Sequence, residues 1–107
     1  MDEDGLLASC VISGHAEAGP RGGDIVCAAV SVLSRTALRT LSAREGLAVR
    51  GEAPGRGEFR LETGPAAGPA DRAFLAAAGT FLLEGLRSVA AEYPRNCKMT
   101  VKTERRN

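Results

Sequence analysis

Between Gly14 and Gly23 the chain carries four glycines and one proline, a composition that supports neither a helix nor a β-ladder. This break decides how the first half can fold. Ahead of it, residues 6–13 read Leu-Leu-Ala-Ser-Cys-Val-Ile-Ser and suit a short strand. Ala8, Cys10 and Ile12 would share one face and Leu7, Ser9 and Val11 the other. Behind it, Asp24 is a good N-cap for a helix through Ile25, Val26, Ala29, Val30, Leu33, Ala37 and Leu41, stopped by Gly46. The first half of that helix is apolar nearly all round, which predicts burial against a sheet. Thr36, Arg39, Thr40 and Arg44 should bring its far end to solvent.

Leu47–Gly51 and Glu58–Thr63 alternate weakly on either side of Glu-Ala-Pro-Gly-Arg-Gly, which predicts an antiparallel hairpin. Residues 64–68 form a Pro/Gly linker. A second helix is expected from Pro69 or Ala70 to Tyr93, ahead of Pro94. Its apolar face would hold Phe74, Ala78, Phe81, Leu82, Leu86 and Val89, with Gly79 and Gly85 allowing close packing. Cys97–Thr103 alternates cleanly and reads as a closing strand with Cys97, Met99 and Val101 inward, before a tail at 104–107 that should fray. The order β-α-β-β-α-β predicts an α+β fold, a two-layer α/β sandwich in which two helices cover one face of a small, mostly antiparallel sheet.

At 107 residues, 44% hydrophobic and 25% charged, the expectation is one soluble globular domain over residues 1–107. A formal net charge of +1 gives no broad attraction to nucleic acid or anionic membrane. The N-terminus is acidic where a signal peptide would be basic, and no uninterrupted apolar run is long enough to span a bilayer. The expected compartment is the cytoplasm, where Cys10, Cys27 and Cys97 would be reduced thiols.

His15 is the only histidine, and it lies twelve residues before Cys27. With Asp24 as cap, Cys27 would occupy the third helical position, beside amides without intrahelical acceptors and at the positive end of the helix dipole. A thiol there, with an imidazole tethered nearby, is how proteins make a reactive thiolate. Ser31 lies one turn further on the same helix face. Gly14, Gly19, Gly22 and Gly23 would let an extended peptide approach the backbone closely, and the amide of Cys27 or its neighbours could face a developing oxyanion. From spacing alone, however, a buried Cys27 acting as a small hydrophobe outweighs a catalytic one. Asp24 reads as a cap before it reads as a catalytic acid, and Cys10 and Cys97 read as core. A zinc site from Cys10, His15, Cys27 and Cys97 lacks the paired short spacings of such sites, and the glycine run lacks the ending of a phosphate loop.

Gly-His-Ala, a glycine-containing loop and then Gly-Asp-Ile-Val-Cys-Ala-Ala-Val-Ser, from Gly14 to Ser31, resemble the signature of the bacterial ribosomal-processing cysteine protease family, Prp. Gly85-Leu86, Tyr93-Pro94 and the closing segment also fit, so the resemblance covers nearly the whole chain and reverses the weighing of Cys27. It implies a cysteine endopeptidase that removes a short N-terminal extension from a large-subunit ribosomal protein, cutting after apolar and aromatic residues. By motif position Cys27 would be the nucleophile and His15 the base, with Asp24 and Ser31 in supporting positions and the Gly14–Gly23 loop closing on substrate. The resemblance implies a homodimer; no cofactor, metal, direct nucleic-acid partner or membrane is expected. Family members usually have another strand ahead of the Asp-Gly turn, whereas Met1 here falls almost on that turn, at Asp4-Gly5. Either the start site is misplaced or the sheet lacks an edge strand. The competing readings are a non-catalytic ribosome-assembly binding module using Lys98, Lys102 and Arg105, and a redox or zinc-sensing protein.

Overall fold

The computed structural model describes residues 1–2, 4–13, 22–53, 58–95, 97 and 99–103. Within them the order is β1 (Ser9–Ile12), α1 (Gly22–Ser42), β2 (Val49–Glu52), β3 (Phe59–Thr63) and α2 (Pro69–Glu92). β3 is central, in the order β1-β3-β2, and both pairings are antiparallel. Cys10 faces Leu61 across the β1–β3 ladder, and Gly51 faces Leu61 across β2–β3. The hairpin, the alternation of β1 and the α+β architecture with its two helices follow the sequence expectation. Pro54–Gly57, the tip of that hairpin, lie outside the described residues, as does the tail at 104–107.

The core forms where the helices meet each other and the inner face of the sheet. Leu41, Leu61 and Leu75 are each fully buried, and Leu6, Leu7, Ala37, Leu47, Ala66 and Leu82 complete the cluster. Burying one such leucine removes enough apolar area from water to be worth about 1.5–3 kcal/mol. Both interior glycines of α2 sit at close approaches. A Cβ on Gly85 would lie 2.8 Å from Leu33 Cδ2 of α1, and one on Gly79 would lie 3.1 Å from Leu7 Cβ. Ile25–Ser42 and Pro69–Glu92 have the length and apolar content of a bilayer crossing, although Arg35 and Arg39 interrupt the first. Here their buried leucines face the sheet and one another.

Two polar ties hold the ends of this arrangement. Asp2 is buried; its Oδ1 accepts the amides of Asp4 and Leu6, each at 2.9 Å. That loop turns at Gly5, whose φ of +76° suits a residue without a Cβ. At the other end, Arg44 Nε lies 2.6 Å from Asp71 Oδ1, and the guanidinium stacks 4.7 Å from the Phe74 ring centroid. Arg44 thus joins the exit of α1 to the first turn of α2. Both side chains of the ion pair remain partly exposed, so Arg44→Ala is expected to cost only about 1 kcal/mol, read as a small fall in the urea midpoint at unchanged slope.

The structure departs from the sequence reading in four places. First, α1 begins at Gly22 rather than after Asp24. Gly22, Gly23 and Asp24 are helical, so Asp24 is the third residue of the helix and not its cap. Two consecutive glycines carry a helix penalty of about 1 kcal/mol each, which hid the early start. Second, the first half of α1 is not wrapped in the core: Ile25 and Val32 are 52% and 55% exposed. Third, the α2 core stripe runs through Leu75, Gly79 and Leu82, while Phe81 is 73% exposed. Fourth, the described residues between Cys97 and Thr103 form no strand. Their backbone ties are the Cys97 amide to the Tyr93 carbonyl at 2.9 Å and the Met1 ammonium to the Lys102 carbonyl at 2.9 Å. Val101 is 42% exposed. Alternation favours a strand only where an edge and a packed face receive it.

Candidate active site

α1 carries the candidate chemistry. Its buried stripe runs through Val26, Ser34, Ala37 and Leu41, spaced so that the helix presents one side to the core. Cys27 lies off that stripe and is exposed. Ser31, one turn later, is also exposed, so the two side chains share a solvent-facing strip. The Ser34 hydroxyl is occupied with the Val30 carbonyl at 2.7 Å, which leaves Ser31 as the hydroxyl beside the thiol. Cys27 is therefore no core hydrophobe, and the reading of it as a structural cysteine falls.

The other thiols are placed differently. Cys10, on β1, is half-buried, and burial pushes its titration above the ordinary cysteine value. Desolvation disfavours the thiolate there. Cys97 is intermediate in exposure, just beyond α2. Cys27 is thus the one exposed thiol among the described residues.

The early start of α1 changes the local electrostatics. Cys27 is the sixth helical residue and not the third, and the amides without an intrahelical acceptor are those of the first turn. The Cys27 amide is thus not an oxyanion donor of that kind. The first-turn amides of Gly22, Gly23 and Asp24 lie about one turn, 5.4 Å of rise, before it. The pull of a helix dipole fades within the first turn, which ends before Cys27. His15, Gly14 and Gly19 lie outside the described residues. His15 is two residues beyond Ser13, the last described residue after β1.

Among the described residues, no three His, Cys, Asp or Glu side chains gather closely enough to hold a metal ion. Of the basic residues on which a ribosome-binding module would rest, Lys102 lies in non-strand chain, and Lys98 and Arg105 lie outside the described residues. An open depression of about 760 Å³ lies elsewhere, on α2, lined by Ala73, Ala76, Ala77, Thr80, Phe81 and Glu84. Nothing in the sequence signalled it, since Phe81 has helical spacing with Ala78 and reads as core.

Comparison with known proteins gives a consistent picture. The sequence model of the family described as cysteine protease Prp matches residues 1–98. No curated protein sequence matches the chain. The fold is similar to that of SMU.848 from Streptococcus mutans, at 26% identity and a TM-score of 0.76, over 95% of this chain and 88% of that one. It is similar also to an essential ribosomal processing protease, Prp, from S. aureus. That protein with a covalently linked product peptide gives 21% identity and a TM-score of 0.73, and with a substrate peptide 20% and 0.75. Each covers 94% of this chain and 96% of the S. aureus chain.

Proposed function

The chain belongs to the cysteine protease Prp family, and we propose that it is a cytoplasmic endopeptidase that removes a short N-terminal extension from a bacterial large-subunit ribosomal protein. The observation that carries this reading is the placement of Cys27, exposed on α1 in the position of the family motif. His15 takes the thiol proton as the sulfur attacks the scissile carbonyl carbon. The carbonyl oxygen becomes an oxyanion, which first-turn amides of α1 can stabilise. Collapse of this intermediate breaks the peptide C–N bond, and His15 hands its proton to the departing amine. A thioester then links Cys27 to the acyl half of the substrate. Water, giving a proton to His15, attacks that carbonyl, releases the carboxylate product and restores the thiol. Ser31 hydrogen-bonds the sulfur or the imidazole, and Asp24 supports the first turn.

The test is cleavage of a peptide copying the extension of the ribosomal protein from the same genome. His15→Ala is expected to lower kcat by about 10²–10⁴, the range a positioned general base contributes, with KM little changed. Activity of His15→Ala equal to wild type would sink the assignment of the base.

The active form is a homodimer in this reading. Support comes from α2, where Phe81 stands 73% exposed beside Ala73 and Ala77. A large apolar side chain over small neighbours is what a second copy can cover. Phe81→Asp is expected to shift sedimentation from dimer to monomer at micromolar concentration; an unchanged profile removes that face from the interface.

A further inference from the structure

Cys27, Ser31, Arg35 and Arg39 follow one another at four-residue spacing on α1, and all four are exposed. Each such step turns about 40° around the helix and rises about 6 Å, so they form one slanting ridge that begins at the thiol. Arg35 lies back along this ridge. Its Nε donates to the Ser31 carbonyl at 3.3 Å, which folds the guanidinium over the Ser31 turn, on the side of Cys27. Arg44, Arg60, Arg72 and Arg87 each have a carboxylate oxygen within 3.7 Å. Neither Arg35 nor Arg39 has a carboxylate partner among the described residues, and two cations four residues apart on a helix repel each other. We propose that Arg35 receives an Asp or Glu carboxylate of the peptide substrate, about two to three residues from the bond cleaved at Cys27.

The thiol and the guanidinium together choose this occupant. A substrate has to lie extended over Cys27 to bring its carbonyl to the sulfur, and extended chain advances about 3.3 Å per residue. The Ser31 turn, about 6 Å of rise from Cys27, is then within reach of a side chain two to three residues along. With its Nε held by a carbonyl, Arg35 presents its terminal N–H groups as the planar fork that matches a carboxylate. A nucleic-acid backbone would call for a row of cations, and residues 25–34 of α1 contain none. A second copy of the chain seated on the ridge would close the sulfur to any substrate. The inference rests on Cys27 being the nucleophile of a peptidase, and it adds a charged subsite that selects among peptides.

The test uses peptides copying the ribosomal-protein extension, in which each residue flanking the cleaved bond is replaced in turn by Asp or by Asn. At one position, about two to three residues from the bond, the wild type should favour Asp over Asn by about fivefold in kcat/KM, the upper range for an exposed ion pair. The gain should lie in KM. Arg35→Gln should bring the two peptides to equal rates. Arg35→Lys should keep part of the preference, because the charge stays and the fork is lost. Arg87→Gln, which removes a paired cation from α2, should keep all of it. Equal rates for Asp and Asn at every position in the wild type, or a preference that persists in Arg35→Gln, would overturn the proposal. So would inhibition by an RNA oligonucleotide that is lost in Arg35→Gln without any Asp preference, which would assign Arg35 to phosphate. If the wild type cleaves none of the peptides, the unsubstituted one included, the proposed function fails and this inference with it. If it cleaves the unsubstituted peptide and shows no Asp preference, only the inference fails.

Discussion

Replacing Cys27 by alanine is expected to abolish peptide cleavage, lowering kcat by a factor of about 10⁴ or more, while leaving the fold intact. Both halves follow from the position of the side chain. The thiol is the atom that forms the bond to substrate, and the Ser31 hydroxyl beside it is too weak a nucleophile, and a turn too far along the helix, to replace it. Because Cys27 is exposed on α1 and lies outside the core cluster, its truncation should change stability by no more than about 0.5 kcal/mol. The measurement is peptide cleavage by mass spectrometry beside a urea denaturation curve. Retained cleavage would exclude thiol catalysis, and a lost fold would show that the side chain is structural after all. Iodoacetamide labelling of the native protein gives a second readout. Cys27 should label first, because it is open to reagent, and Cys10 last, because burial both shields it and raises its titration. That raised value also fixes a pH dependence. The folded state holds the Cys10 proton more tightly than the unfolded chain, so its contribution to stability is complete below the ordinary cysteine value. It is lost as pH rises above that value. Cys10→Ala should flatten this alkaline loss.

Much of the fold was written in local signals. Pro69 at the start of α2 and Pro94 after its end bracket the helix to within a residue, because proline tolerates a first turn and refuses a helix interior. The hairpin was legible because two alternating segments flank turn residues. The start of α1 was not, because two consecutive glycines weigh against helix where the helix in fact begins. The α2 core stripe was misread for a related reason. Gly79 adds no hydrophobic signal, although it sits against Leu7 at a close approach. Counting apolar residues therefore rotated the stripe toward Phe81. The closing strand failed because alternation cannot report whether an edge awaits it. In the candidate site, the identity of the thiol came from a motif rather than from periodicity. Its exposure, which separates a nucleophile from a core cysteine, became visible only when the buried side of α1 was placed against α2 and the sheet.

Leu61→Ala should be the most damaging single truncation in the sheet. Leu61 is 0% exposed in the central strand, and its neighbours on the two ladders are Cys10 and Gly51. Neither a half-buried thiol nor a glycine can expand to fill the space. α2 is held close to α1 at Gly85 and to Leu7 at Gly79, so collapse from that side would pull apart contacts already at their limit. A cavity therefore remains, and buried Leu→Ala changes of that kind cost about 2–5 kcal/mol. Against a total stability of about 5–15 kcal/mol for a domain of this size, that is a large fraction of the margin. At about 4–8 °C per kcal/mol, thermal unfolding should fall by roughly 10 °C or more. Val11→Ala, on the outer face of β1 where the side chain is 63% exposed, should move the same transition by only a degree or two. Equal shifts for the two variants would mean that the inner face of the sheet is not where the core lies. The helix layer that holds Cys27 clear of the core would then need a different support.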